Sequence, residues 1–330
     1  MQKSPKVSIF MPTYNHEAFL AESLESVITQ DYSDFEIVCS DDCSLDKTAE
    51  TLKYYQAKYP DKIKALYSEK NLGIAKNFNK TLKYCSGKYI IFFSGDDIML
   101  PGKITKTVNF MEENSEHVLC YHDAEIFDSY SGNKVCNYSD IARLPTNVVE
   151  SLLSPGTLVV GSVVIARKSA LPIGGFNENL NVLADWLLFI ETATKGKVGS
   201  IQEILTRYRR HKNNVSNTTS HYPEYFCALG ILRSKYINLA HSIRYYEGHV
   251  FAGFLAHYMR KAEYSNAFIC AKESALRLYK LHIMLPCYFI SLFRLGILKS
   301  PIDSFIAWLF KRLDKYKKLK QINYKVYGKR

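Results

Sequence analysis

The sequence predicts an α/β protein in which a mostly parallel sheet is flanked by helices, followed by a mainly helical, basic region. Three observations predict it. Short apolar runs alternate with segments of helical period from residue 7 onward, which is the pattern of βαβ units. The fourth run, Tyr89 to Phe93 (YIIFF), is apolar throughout, as a strand covered on both faces must be. Charge also divides along the chain: residues 1–229 hold 24 Lys+Arg against 27 Asp+Glu, and residues 230–330 hold 19 against 5. The division falls near an expected boundary between a domain at 1–220 and a helical region at 221–330.

The elements follow in order. Val7 to Met11 is a buried strand, and Leu20, Leu24, Val27 and Ile28 recur on one helical face. Phe35 to Cys39 is a strand, and Asp46 to Tyr59 a helix with Ser44 and Asp46 as candidate caps. Ile63 to Tyr67 is a strand, Ile74 to Tyr84 a helix, and YIIFF the fourth strand. Val118 to Phe127, Leu158 to Ala166 and Ile204 to Tyr208 read as further strands. Gly174-Gly175-Phe176 is a turn, and Asp185 to Thr194 an amphipathic helix. Beyond residue 230, Gly248 to Lys261 and Asn266 to Tyr279 are expected as an antiparallel helix pair.

With 330 residues, 47% of them hydrophobic and 23% charged, the chain can form one large domain or two ordinary ones, which excludes disordered and fibrous classes. The eight cysteines are scattered without a C-x-x-C pair, as buried thiols in a reducing compartment are, so no structural zinc is expected. The first apolar run is too short for a secretory signal, which gives a cytosolic expectation. No P-loop, no G-x-G-x-x-G after the first strand and no G-x-S-x-G elbow are present, which argues against P-loop NTPases, dinucleotide oxidoreductases and serine hydrolases of that type.

Right-handed crossovers bring the strand-to-helix loops to one sheet edge, where open α/β folds bind ligands. Those loops carry Pro12-Thr13-Tyr14-Asn15, Asp41-Asp42 and Gly95-Asp96-Asp97. Carboxylates gathered at one edge repel one another unless a cation joins them, and Asp96-Asp97 offers hard oxygen ligands to Mg²⁺ or Mn²⁺ on a diphosphate. The competing reading makes this pair a cap for the next helix. Asp185, at the start of its helix, is either an N-cap or the general base that a hydroxyl nucleophile requires. Tyr208-Arg209-Arg210-His211, with Asn214 and Ser216, forms a polar, basic turn suited to phosphate and a divalent metal.

In order, VSIFMPTYN, FEIVCSDDCSLDKT, NLGIAKNFNKTL, SGKYIIFFSGDDIMLPGKI, GGFNENL, and ADWLLFIETATKG followed by YRRHKNNVS resemble the motifs of family 2 glycosyltransferases, inverting nucleotide-sugar enzymes with a GT-A (Rossmann-like) fold. The resemblance covers roughly residues 5–217. It implies a donor site at Pro12, Thr13, Tyr14, Asn15, Asp41, Asn71, Lys76 and Asp96, with Tyr14 against the base, Asp41 accepting from a uracil nitrogen and Asp96 near the ribose. It further implies Asp97 as metal ligand, His211 in the diphosphate and metal region, Asp185 as general base, Mn²⁺ or Mg²⁺ as cofactor, and a UDP-sugar donor. The sequence departs from the family twice: Ser94 stands where the first acid of D-x-D-D is frequent, and Ala184 precedes Asp185 where Glu is frequent.

Leu281 to Leu298 is interrupted by His282, Pro286, Ser291 and Arg294, so a membrane span is not expected. Phe305, Trp308 and Phe310 beside Lys311, Arg312, Lys315, Lys317, Lys318 and Lys320 suit a helix lying on an anionic membrane, each basic residue worth on the order of 1 kcal/mol near the surface. The alternative is packed helices with a solvated basic face or a contact between copies of the chain. Nucleic acid is not an expected partner, because no binding module accompanies the lysines. The resulting expectation is a peripheral enzyme at the inner face of the cell membrane, using a saccharide acceptor, lipid-linked as in many relatives, in O-antigen or capsule synthesis. The competing function is a catalytically silent sugar-nucleotide-binding scaffold on the same fold.

Overall fold

The computed structural model of the chain describes residues 6–157, 161–215 and 222–260, together with 266, 269, 270 and 273. Backbone packing divides the chain into two units, Met1–Leu152 with Gly156–Glu224, and Leu153–Pro155 with Tyr225–Arg330.

In the first unit β1 (Val7–Thr13), β2 (Phe35–Asp41), β3 (Ile63–Tyr67) and β4 (Tyr89–Phe92) pair in parallel in the order β3-β2-β1-β4. The connections are α1 (Leu20–Ile28), α2 (Thr48–Lys58) and α3 (Ile74–Tyr84). Beyond β4 the sheet is mixed. It continues through β8 (Val164–Arg167), β6 (His117–Asp128), β9 (Lys197–Arg210) and β5 (Ile98–Met99), with β7 (Lys134–Asn137) paired to β6. β8 runs antiparallel to both β4 and β6, β6 and β9 are parallel, and β5 is antiparallel to β9. Two helices complete the unit, α4 (Lys103–Glu113) and α5 (Ala184–Ala193).

Strand alternation divides the core between the two sheet faces. Val7, Ile9 and Met11 of β1 join Leu20, Leu24 and Val27 of α1 and Ile104, Val108 and Met111 of α4. Phe10 and Phe92 point to the other face, where they meet Phe78 of α3, Phe176 and Phe189 of α5 with ring centroids 5.0–6.1 Å apart. Close approach is extreme at Gly87, where a Cβ would lie 2.5 Å from the Ser8 nitrogen.

The structure corrects several expected boundaries. The run expected as a strand from Leu158 to Ala166 is a strand only from Val164, because Gly161–Val163 form one 3₁₀ turn tied down by buried hydrogen bonds of Ser162; residues 158–160 lie outside the described residues. The strand expected at Ile204 to Tyr208 begins seven residues earlier, at Lys197, since the exposed pair Gln202-Glu203 sits at a register irregularity opposite His122/Asp123 and breaks the apolar pattern. Ser44 does not cap α2; its hydroxyl binds Asp41, while Asp46 Oδ1 accepts the Thr48 amide at 3.0 Å.

In the second unit α6 (Tyr222–Lys235) and α7 (Ala240–Arg260) pack antiparallel, with Phe226 against Phe251 and Phe254 and an ion pair between Arg233 and Glu247. The helix expected to start at Gly248 therefore starts eight residues earlier, and Gly248 is interior to it. The segments expected to pair with it and to contact a membrane fall largely or wholly outside the described residues. Among the described residues no helix is long and apolar enough to cross a membrane.

Candidate active site

The loops after β1 and β2 are laced together. Asn15, in the left-handed region at φ 52°, donates its backbone N–H to the Ser44 hydroxyl oxygen at 2.8 Å, and its own Oδ1 accepts the Leu45 amide at 2.9 Å. Asp41 is buried and accepts the Ser44 amide at 3.1 Å. Asp42 accepts the amides of Leu72 and Gly73 at 2.8 and 2.9 Å, which fixes the turn into α3. These two acids are thus satisfied by the protein's own hydrogen-bond donors, which offset the cost of gathering carboxylates at this edge. Pro12 and Thr13 are buried at the end of β1, and Thr13 Oγ1 has no hydrogen-bond partner among the described residues. Tyr14 is exposed beside them. Asn71 donates to the Asp42 carbonyl at 3.3 Å, and Lys76 stands exposed on the first turn of α3. Gly95 closes the floor: a Cβ there would come within 3.0 Å of Thr13 Oγ1 and 3.1 Å of His16 Nδ1.

Asp96 and Asp97 do not cap a helix, since α4 begins only at Lys103 after Gly102. Asp96 Oδ2 lies 3.0 Å from His211 Nε2 and 4.0 Å from His16 Nε2, with Asn214 Nδ2 at 3.5 Å. Burial acts to raise its pKa, yet the charge interaction with His16 and the hydrogen bond with His211 hold the carboxyl well below the usual range. Asp97 is the opposite case. Burial, and then the adjacent Asp96 charge, push it up to about 8. Its Oδ1 accepts the Arg209 amide at 2.8 Å, while Oδ2 is buried with no hydrogen-bond partner among the described residues.

That free carboxylate oxygen fits a divalent cation, for which a hard oxygen ligand is the preferred donor and whose charge would reverse the upward shift. Among the described residues no three His, Cys, Asp or Glu side chains converge as a cage. None is needed for Mg²⁺ or Mn²⁺ held through one or two carboxylates and a diphosphate.

Arg209 locks this corner. Its guanidinium lies between the rings of Phe19 and Phe127, at 4.8 and 4.7 Å, donates to the Asp96 carbonyl at 2.6 Å and pairs with Glu22. The short β5 brings the acids here by pairing Ile98 with Arg207 of β9.

Asp185 sits in the first turn of α5, half-buried, with Oδ1 accepting the Trp186 amide at 2.7 Å. Burial pushes its pKa up to about 6 against the opposing effect of neighbouring amides, Trp186 foremost. The Tyr121 hydroxyl is buried without a partner among the described residues, and its phenol is raised first by burial and then by the charge of Asp185.

Sequence reasoning missed His16, Lys103, Ser162 and Tyr121, and grouped Arg209 with His211 without seeing its role. Lys103 carried a readable signal, because it falls on the helical stripe shared by Ile104, Thr107, Val108 and Met111, all buried. A lysine on a core-facing stripe is a strong anomaly.

Residues 8–145 match the family described as Glycosyl transferase family 2. The putative glycosyltransferase EpsE of Bacillus subtilis is 31% identical over 216 residues, which cover 63% of this chain and 74% of that protein. Among solved structures, S. aureus TarS residues 1–349 in complex with UDP-GlcNAc superposes with a TM-score of 0.66 at 18% identity, covering 89% of this chain and 93% of that one. The mannosyltransferase PcManGT of Pyrobaculum calidifontis, in complex with GDP-Man and Mn²⁺, gives 0.58 at 15% identity over 97% of this chain and 83% of that one. At such identities the likeness is one of fold.

Proposed function

The chain belongs to glycosyl transferase family 2, and from that premise we propose that it transfers a sugar, with inversion, from a UDP-sugar to a hydroxyl of a saccharide acceptor in bacterial surface polysaccharide synthesis. The observation that carries this reading is the contrast between two carboxylates. Asp97 keeps a buried Oδ2 with no hydrogen-bond partner among the described residues, while Asp185 stands on a separate helix start with its pKa raised to about 6. The UDP-GlcNAc complex of TarS supports the donor class, and the Mn²⁺ complex of PcManGT supports the cation.

In this mechanism the loops after β1 and β2 hold the nucleotide, with Tyr14 exposed to stack on the base and Asp41, Asn71, Lys76 and Asp96 lining the donor. Asp97, with His211 on the same rim, would hold the divalent cation, which when bound supplies positive charge to the leaving diphosphate. Asp185 takes the proton of the acceptor hydroxyl as that oxygen attacks the anomeric carbon; the bond from that carbon to the diphosphate oxygen breaks and UDP leaves with the electron pair. Arg209, Asn214 and Gly95 keep the pocket in shape. The basic residues beyond 230 support attachment to an anionic membrane and a lipid-linked acceptor.

Calorimetry of UDP binding with and without Mn²⁺, with GDP and CDP as controls, tests the reading. Metal-enhanced, UDP-selective binding followed by sugar transfer is the expected result. Selectivity for GDP or CDP overturns the donor class, and binding of no nucleotide by the folded chain overturns the enzyme.

A further inference from the structure

Lys103 is wholly buried at the start of α4, yet it makes no ion pair within 4.0 Å among the described residues. Its Nζ donates to the Ser162 carbonyl at 2.8 Å and to Thr206 Oγ1 at 2.9 Å, and stands 4.8 Å from the centre of the Phe93 ring. Thr206 Oγ1 itself donates to the same Ser162 carbonyl at 3.0 Å. One peptide oxygen in the Gly161–Val163 turn is therefore gripped twice from below, by a helix start and by β9. A buried ammonium is expensive to keep, and most folds place an apolar side chain in such a position.

The turn it grips touches both sides of the proposed reaction. Ser162 Oγ accepts the Ser94 amide at 3.1 Å, and the Ser94 carbonyl accepts the Asp97 amide at 3.3 Å, so the serine fixes the loop that presents Asp97. One residue earlier, Gly161 lies against the other carboxylate: a Cβ there would stand 3.6 Å from Asp185 Oδ2. Two consecutive residues, Gly161 and Ser162, thus connect the donor-side acid to the proposed base. Resting on the assignment of Asp97 and Asp185 made above, we propose that Lys103 is a positioning residue, a buried post that holds the Gly161–Val163 turn so that Asp97 and Asp185 keep a fixed mutual placement.

A post of this kind acts on both acids at once, whereas a merely local packing role acts on neither or on its nearer neighbour. The test uses the full chain carrying Lys103→Met, which keeps length and removes the amino group, and separately Ser162→Ala, which removes the Oγ shared by the Ser94 amide and Asp97 and leaves the grip on the Ser162 carbonyl in place. Two quantities are read. One is the affinity for UDP in the presence of Mn²⁺ by calorimetry. The other is the titration midpoint of the Asp185 carboxyl in ¹³C-aspartate-labelled protein, its resonance assigned by its loss in Asp185→Asn.

Outer partners of a metal ligand are typically worth about 10–100-fold in affinity, so each variant is expected to weaken UDP binding by at least about tenfold. The Asp185 midpoint is expected to move to higher pH in Lys103→Met, because the loosened turn withdraws the Gly161 amide that favours the carboxylate, and to stay in place in Ser162→Ala, whose carbonyl is still held. If Lys103→Met fails to fold, Lys103→Gln, which keeps a polar side chain but shortens its reach to the Ser162 carbonyl, decides in its place. In the Lys103 variant, movement of only one quantity, or wild-type values for both, overturns the post. A wild-type chain that binds no UDP overturns the donor-side assignment and the post with it, while a UDP-binding wild type with indifferent variants overturns the post alone.

Discussion

His211 Nε2 stands 3.0 Å from Asp96 Oδ2, so the imidazole expected beside the cation engages the carboxylate next to the one left free. The two adjacent acids are thereby differentiated. Asp96 is held by His211, with Asn214 and His16 nearby, and stays charged, whereas Asp97 has one oxygen on the Arg209 amide and the other with no hydrogen-bond partner among the described residues.

In the proposed mechanism, this differentiation makes Asp97 the carboxylate on which cation dependence rests. In Asp97→Ala, UDP affinity measured by calorimetry with Mn²⁺ present is expected to fall to the level that the wild-type chain shows in EDTA, and adding EDTA is then expected to change nothing. A variant that still gains affinity from Mn²⁺ contradicts the assignment.

Asp185→Asn keeps the shape of the helix start and removes the proposed base. Turnover is expected to drop by about a hundred- to ten-thousandfold, the usual worth of a general base, with UDP affinity within a few-fold of wild type. Steady-state kinetics beside calorimetry separate the two, and an asparagine variant that turns over normally removes Asp185 from the chemistry.

The pH dependence follows from the same residue. Burial raises the Asp185 pKa to about 6, and the base works only when deprotonated. The kcat/KM of the wild-type chain is therefore expected to rise with pH through about 6 and then level off on that side, with the low-pH form inactive. An acidic limb near pH 4, the range of an ordinary aspartate, contradicts the buried setting.

Gly87 provides a stability test away from the chemistry. A Cβ at this position would stand 2.5 Å from the Ser8 nitrogen and 2.7 Å from the Val7 carbonyl carbon, both backbone atoms of β1 that cannot step aside. Gly87→Ala is expected to cost about 1–3 kcal/mol in urea unfolding, the range of overpacking in a closed core. An unchanged unfolding midpoint means the strands separate more easily than their packing indicates.

Much of this was legible in the sequence, and for identifiable reasons. α3 falls at Ile74–Tyr84 as the periodicity predicts, and β1 to β4 follow their apolar runs because strands buried on both faces have few polar interruptions. β5 was missed because Ile98–Met99 is two residues long and owes its existence to β9, more than a hundred residues away in sequence. α4 escaped because a buried lysine and two threonines occupy its early turns, which dilutes the stripe. Candidate acids could be picked out by type and spacing. What each carboxylate does could not, since Asp42 serves two backbone amides and Asp97 keeps an oxygen free through contacts made by Leu72, Gly73 and Arg209.

The pairing of β5 with β9 sets an order of assembly during synthesis. Arg209, whose amide holds Asp97, lies 112 residues further along the chain. At the ribosome's pace of about 5–20 residues per second, those residues take roughly 6–20 s to be made. The parallel strands β1 to β4 exist as chain long before their partner does. During that interval the nucleotide loops can form while the acid pair still lacks the arginine that clamps it. Only β9, paired with β6, carries the Arg209 amide that holds Asp97, so a chain that stops short of β9 keeps the recognisable motifs of the family without this clamp on the acid pair.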